Sequence, residues 1–391
     1  MESSANKRVK RFSSVESNPQ WTENLLLKLQ SSNESQTRVG ESFSLVKSVV
    51  NILLSAVANY NARFSFRAVD SSSFFVEKAT NHFELLVFVS SQSLRPAEIC
   101  FQGDGCQGLA LIEMVQDTVT HRTWKSLCKK SKSGKEYLSS KMLRSELSNL
   151  LSRLLADMLY LQHYHDKTMQ GIEIRNISSE DTVCLEIKIR GLTLIVDLVT
   201  AIDCEGLWPV QDFCREGQKL CKQISSTKSK GKPVNCGIQL VSKPTPMEYH
   251  WKIWFCKAER FELNFNRFPQ RRRCFQLFKA FVYSELGCGF LKPYHLQTIL
   301  LHESAKFSDE KHWTVEKLGD RFYGLVSLLE TFVHDRSCPH FFIPSMNLFS
   351  EISNNNIRIF CQRIKFVKES YGSFVDNKFP VGSVFHSNTW L

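Results

Sequence analysis

The chain has 391 residues, a net charge of +11 and a hydrophobic content of 42%. That length suffices for two packed lobes or one large α/β unit, and the composition is that of a globular protein, which excludes disordered and fibrous classes. No stretch reaches the roughly 18 consecutive apolar residues of a membrane helix, so no membrane partner is expected. Residues 1–20 lack the apolar core of a secretory signal, and the thirteen cysteines are scattered singly. The expectation is free thiols in a reducing compartment, cytoplasmic or nuclear. The basic excess points to an anionic partner such as nucleotide, nucleic acid or phosphate.

In chain order, residues 1–20 read as a disordered tail with its charge in Lys7, Arg8, Lys10 and Arg11. A short helix is predicted over 21–30. A longer one is predicted over 41–60, where Val46, Val49, Val50, Leu53 and Val57 recur at helical spacing. Residues 63–69 alternate as a strand, Ser71-Ser72-Ser73 reads as a turn, and 83–89 as a second apolar strand. Gly103-Asp104-Gly105 signals a hairpin whose return strand is 108–115. Residues 125–135 read as a basic, serine-containing loop, and 139–164 as a long amphipathic helix with Leu143, Leu147, Leu150, Leu151 and Leu154 on one side.

Residues 183–189 and 192–200 form a predicted hairpin around Arg190-Gly191. The second of these runs, Leu192 to Val199, is aliphatic enough for a strand buried on both faces, yet it carries Asp197. A buried carboxylate needs a hydrogen-bond partner, a cation or a metal. Beyond a polar loop at 225–233, residues 237–241 and 249–255 are strand-like. Helical spacing then dominates at 274–284, 294–304, 318–334 and 356–369. The reading is an α+β chain: a mixed sheet braced by long helices over 21–224, then two strands and a helical lobe over 225–391.

Three groups of residues carry chemistry. His82 and Glu84, two apart on a strand, point to the same face. A neighbouring strand could bring Asp197 beside them. With the turn at Ser72-Ser73 ahead of them, the layout approaches a two-metal nucleotidyl transferase, in which acids hold metals and turn amides hold phosphates. Against it, Mg²⁺ prefers oxygen, His82 offers nitrogen, and the turn has no glycine. The plainer alternative is two polar residues at a strand edge and one satisfied buried Asp, and the residues alone favour it. Arg271, Arg272, Arg273 and Lys279 at a helix start could bind phosphate or form a solvated helix entrance, and Lys252 is a candidate if its strand borders a cleft. His334, Cys338 and His340, like Cys214 and Cys221, match no established metal-ligand spacing.

Several stretches, in order, resemble the male-abnormal-21-like (Mab-21-like) family, whose relatives include cyclic GMP-AMP synthase. They are FELL (83–86), Asp197 with GLWP (206–209), GIQLVSK (237–243), HWKIWFCKAE (250–259), RRRCFQLFKAF (271–281), KPYHLQTILLHE (292–303), Trp313, LGDRF (318–322) and CPHFFIPSMNLF (338–349). The resemblance implies a nucleotidyltransferase-fold core, a helical C-terminal lobe and a nucleotide cleft. In active relatives a Gly-Ser turn holds triphosphate and three acids bind two Mg²⁺. Carried onto this chain, the turn falls near Ser72 and Ser73, and the acid positions on His82, Glu84 and Asp197. Glu84 and Asp197 would then be the catalytic acids. Lys252 and Lys279 fall at basic nucleotide contacts and Tyr294 at a base-stacking position. The turn glycine and the first acid are replaced, and only 264–270 stands where the DNA-sensing synthase has its zinc insertion.

The resemblance therefore implies a protein that binds ATP or GTP with a degenerate active site and a regulatory or developmental role. Its alternative is an active cyclic-dinucleotide synthase or receptor of innate immune signalling, using Mg²⁺ or Mn²⁺ and sensing RNA, in preference to DNA, or another anion through its basic surface.

Overall fold

The structure is a computed structural model, and it describes residues 33–61, 64, 75–79, 81–89, 99–103, 108–161, 171–189, 191–204, 208 and 236–372. The predicted tail at 1–20, the predicted helix at 21–30, the predicted strand at 63–69 apart from Phe64, the Ser72-Ser73 turn, the 225–233 loop, Cys214 and Cys221 lie outside these residues. The chain divides into two compact units, one of Leu27–Asn264 with Phe342–Met346, the other of Phe265–Phe341 with Asn347–Leu391 and Met1–Leu26.

The first unit opens with helix α1 (Asn33–Tyr60) and strands β1 (Phe75–Ala79), β2 (His82–Phe88), β3 (Ile99–Gly103) and β4 (Leu109–Met114). A short helix α2 (Val119–Trp124), strands β5 (Cys128–Lys130) and β6 (Glu136–Leu138) and the long helix α3 (Ser140–Leu161) follow. Strands β7 (Ile172–Asn176), β8 (Val183–Ile189), β9 (Leu192–Cys204), β10 (Ile238–Val241) and β11 (His250–Trp254) and helix α4 (Cys256–Leu263) complete it. All eleven described strands join one mixed sheet in the order β1-β2-β9-β10-β11-β4-β6-β5, with β3 beside β4, β8 beside β9 and β7 beside β8. Strands β10 and β11, read from sequence as part of the second half, are therefore central strands of this sheet. The observed division falls after Asn264.

The hub is β9. It runs parallel to β2 along one side. Along the other side it pairs antiparallel first with β8, up to Val183↔Leu198, and then with β10, from Val241↔Ala201. The β8–β9 turn needs a left-handed residue, which Gly191 supplies at φ +78°. Helix α3 packs across β7, β8 and β9, and α1 packs on α3. Buried Val46, Val50, Leu53, Leu143, Leu147 and Leu151 form their apolar stripes.

Alternation fixes which residues share a face. Phe83, Leu85, Val196, Leu198, Leu240, Trp251 and Ile253 are buried on one side. The other side carries His82, Glu84, Asp197, Val199, Val241, Lys252 and Trp254, by the registers Glu84↔Asp197, Ala201↔Val241 and Val241↔Lys252. The predicted basic loop at 125–135 is largely the β5–β6 hairpin, in which Lys130 and Lys135 are paired with Glu136 and Glu113.

The second unit is helical: α5 (Pro269–Ala280), continued by a π turn (Phe281–Glu285), then α6 (Pro293–Lys306), α7 (Leu318–His334) and α8 (Asn354–Gly372). Pro269 and Pro293 stand in the first turns of α5 and α6, where a missing N–H costs nothing. Leu277, Phe278, Leu296, Ile299, Phe322, Leu325, Leu329 and Phe360 are its core. The fold class is α+β with a helical second unit, as the sequence implies.

Candidate functional site

The site is built where β9 changes neighbours. The β8 pairing ends at Leu198, and the β10 pairing begins at Thr200, whose carbonyl accepts from the Ser242 N–H, so the gap between the two neighbours is at Val199. A cavity of about 170 Å³ occupies this gap, with Glu84, Arg144, Thr182, Asp197, Ser242 and Lys243 among its lining. Glu84 and Asp197 face each other across the parallel β2–β9 pair, and each is only 4% exposed.

Both acids have partners. His82 Nε2 lies 3.1 Å from Asp197 Oδ2. The Lys243 ammonium donates to both oxygens of Glu84, at 2.9 and 2.7 Å. It also stands 4.6 Å from the Trp254 ring centroid, within cation–π range. On the α3 side of the gap, Arg144 donates through Nη1 to the Ser242 carbonyl. Its Nε is buried without a hydrogen-bond partner, and burial pushes the guanidinium pKa down. The Thr200 and Ser242 hydroxyls are hydrogen-bonded to each other beneath it.

The structure thus brings His82, Glu84 and Asp197 onto one face. Lys252 lies on that same face two strands from Asp197, half-buried between Val241 and Leu109. Lys279 and Tyr294 belong to the helical unit. Lys279 stands over the Phe275 ring one turn earlier on α5, and the Tyr294 hydroxyl is 2.8 Å from His340 Nε2.

Among the described residues no three His, Cys, Asp or Glu side chains are arranged to hold a metal ion. His334 is exposed beside Asp335, while Cys338 and His340 are buried and serve packing. At the acid face the reason is chemical. A Mg²⁺ ion needs oxygens at about 2.0–2.1 Å in octahedral array, whereas here an ammonium spans Glu84 and an imidazole covers Asp197. The donor set as it stands does not fit a divalent pair.

Residues 77–263 match the family model described as the Mab-21 protein nucleotidyltransferase domain, and residues 270–366 match the Mab-21 protein HhH/H2TH-like domain. The chain belongs to the Mab-21-like family. A relative from Aedes aegypti, "Protein mab-21-like", is 24% identical over 341 residues, 80% of this chain and 84% of its own length. Another of that name from Drosophila pseudoobscura pseudoobscura is 26% identical over 230 residues, 54% of this chain and 57% of its own.

Within this Mab-21-like chain, sequence reasoning missed Lys243 and Arg144. Lys243 closes the GIQLVSK motif and was visible only as a strand end. Arg144 is a single cation on the otherwise apolar side of α3, between Leu143 and Leu147. A buried charge in such a stripe signals a partner, though not its identity. No described helix is long and apolar enough to cross a membrane.

Proposed function

We propose that this Mab-21-like protein binds a nucleotide, ATP or GTP, on the acid face, has lost nucleotidyl transfer, and acts as a regulatory or developmental factor in the cytoplasm or nucleus. The observation that carries the reading is the pairing of both acids by the chain itself, Glu84 by Lys243 and Asp197 by His82. A divalent ion at either acid would have to compete with a partner already in place, the ammonium across both Glu84 oxygens or the imidazole at Asp197. Lys252, on the same face, is a phosphate contact in this reading, as are Lys279, Ser72 and Ser73. Tyr294 is the base contact.

The test is incubation of the purified protein with labelled ATP and GTP, with Mg²⁺ or Mn²⁺, with and without double-stranded RNA or DNA. The expected result is no product, together with nucleotide-induced thermal stabilisation. Product that disappears in Glu84→Ala and Asp197→Ala would overturn the reading. It would support the alternative of an active cyclic-dinucleotide synthase using Mg²⁺ or Mn²⁺. One feature favours that alternative: Glu84 and Asp197 are directly opposed in register, as a shared cation would require. RNA is the candidate activator in that case.

A further inference from the structure

We propose that Lys243 is a built-in cation standing in the place of a divalent metal at the Glu84–Asp197 pair, so that this face excludes Mg²⁺ and Mn²⁺ while Lys243 is present. The direction of the side chain follows from the backbone. The Ser242 N–H donates to the Thr200 carbonyl at 3.0 Å, which carries the β10 pairing one residue past Val241. By alternation Lys243 then falls on the Val241 side, the side of Glu84 and Asp197. Pro244 follows, ends the ladder and holds Lys243 in extended backbone.

The side chain is fixed at its end as well. Its ammonium bridges both Glu84 oxygens and rests against Trp254, and its side chain is 28% exposed. The Glu84 side chain is 5% exposed, so solvent supplies little competing hydration. A divalent ion at Glu84 would have to displace Lys243 and then lie beside its positive charge. At Asp197 an ion would likewise compete with His82, which already covers Oδ2. The inference stands on this geometry and holds whether or not a nucleotide binds, so its test does not involve one.

The full chain, Lys243→Met and Lys243→Met/Glu84→Gln are titrated with Mn²⁺ by electron paramagnetic resonance. The native chain is expected to show no saturable site in the millimolar range. Lys243→Met should gain one at least about tenfold tighter than any native binding, and the double variant should lose it. Native binding as tight as that of folded Lys243→Met, or no gain in that variant, would overturn the proposal. Should Lys243→Met fail to fold, amine acetylation followed by peptide mass spectrometry decides. Labelling of Lys243 should rise in Glu84→Gln and stay unchanged in the native protein when Mn²⁺ is added. A rise in the native protein on adding Mn²⁺ would overturn it.

Discussion

In the sheet unit the buried acids Glu84 and Asp197 keep cationic or imidazole partners, Lys243 and His82. In the helical unit three histidines at buried or half-buried positions are held neutral. Burial pushes His340 down to about 3 and His295 to about 4, and lowers His302 as well. These imidazoles bond to neighbours within their own unit. His302 reaches the Pro339 carbonyl, His340 the Tyr294 hydroxyl, and His295 Nδ1 accepts from the Lys292 N–H at the start of α6. A neutral imidazole can be buried with one or two hydrogen bonds, whereas a carboxylate needs compensating charge. The contrast separates a face that retains the means to handle charge from a core that uses polar groups for packing.

The largest effect should come from breaking the first region. Lys243→Met takes the ammonium away from a carboxylate that is only 5% exposed. Loss of one partner of a buried pair costs roughly 3–5 kcal/mol. Urea denaturation should show that loss, and Lys243→Met/Glu84→Gln should recover most of it, because the buried negative charge is removed together with the ammonium that offset it. A double variant no more stable than the single one would mean that Lys243 is held by something other than Glu84.

The helical unit buries charge as well, and its Glu303–Arg321 pair gives the next effect. Glu303 accepts from Arg321 Nη1 at 3.0 Å, and the Arg321 guanidinium stacks 3.3 Å from the Phe307 ring centroid. Desolvation raises the Glu303 pKa against the lowering pull of Arg321. Gly324, about one turn beyond Arg321 on α7, leaves the space: a Cβ there would fall 2.2 Å from Glu303 Oε1. Gly324→Ala should therefore cost about 1–3 kcal/mol by overpacking, despite alanine's better helix propensity. An unchanged thermal midpoint would show that Glu303 can swing aside without loss of its ion pair.

The histidines predict acid sensitivity of the same unit. An unfolded histidine takes up its proton near pH 6.5, whereas folded His295 and His340 resist until about 4 and 3. Below pH 6.5 the unfolded state binds more protons, so stability falls as pH falls. The slope is at most about 1.4 kcal/mol per pH unit for each histidine. It flattens once the folded values are passed. Denaturation midpoints followed from pH 7 to pH 4 should decline less steeply in His340→Gln than in the native chain. Parallel curves would assign the decline to other groups.

How much of this was legible follows from the range over which each signal acts. Period-two alternation, a local signal, put His82 and Glu84 on one face, and one aliphatic run marked Asp197 as buried, but their meeting depends on the parallel β2–β9 pairing, which no local signal carries. Strand β7 was missed because Ile172-Glu173-Ile174-Arg175-Asn176 alternates with charged residues and gains its strand character only from pairing with β8. Helix α2 was missed because Val119, Thr120 and Thr123 are β-branched. Its start is fixed instead by Thr118, whose hydroxyl accepts from the His121 N–H. Lys243 was invisible as a site residue for a different reason. Its partner Glu84 is 159 positions away, and the two meet only because β9 lies between their strands.

The smallest expected effect on stability is also the most selective test of the nucleotide reading. The Lys279 side chain is half-buried over Phe275 at 5.9 Å, a weak cation–π geometry, and no ion pair is seen for it among the described residues. Lys279→Ala should therefore shift stability by no more than about 0.5 kcal/mol. If Lys279 contacts phosphate, the same variant should weaken ATP or GTP binding by roughly tenfold, the scale of one charge-assisted contact of about 1.4 kcal/mol. Differential scanning fluorimetry with and without nucleotide separates the two quantities in one experiment. A variant as stable as the native chain, with its nucleotide-induced shift intact, would remove Lys279 from the binding surface and leave Lys252 as the basic residue to test. A lost shift at unchanged stability would place a binding function in a residue that the helical fold itself does not need.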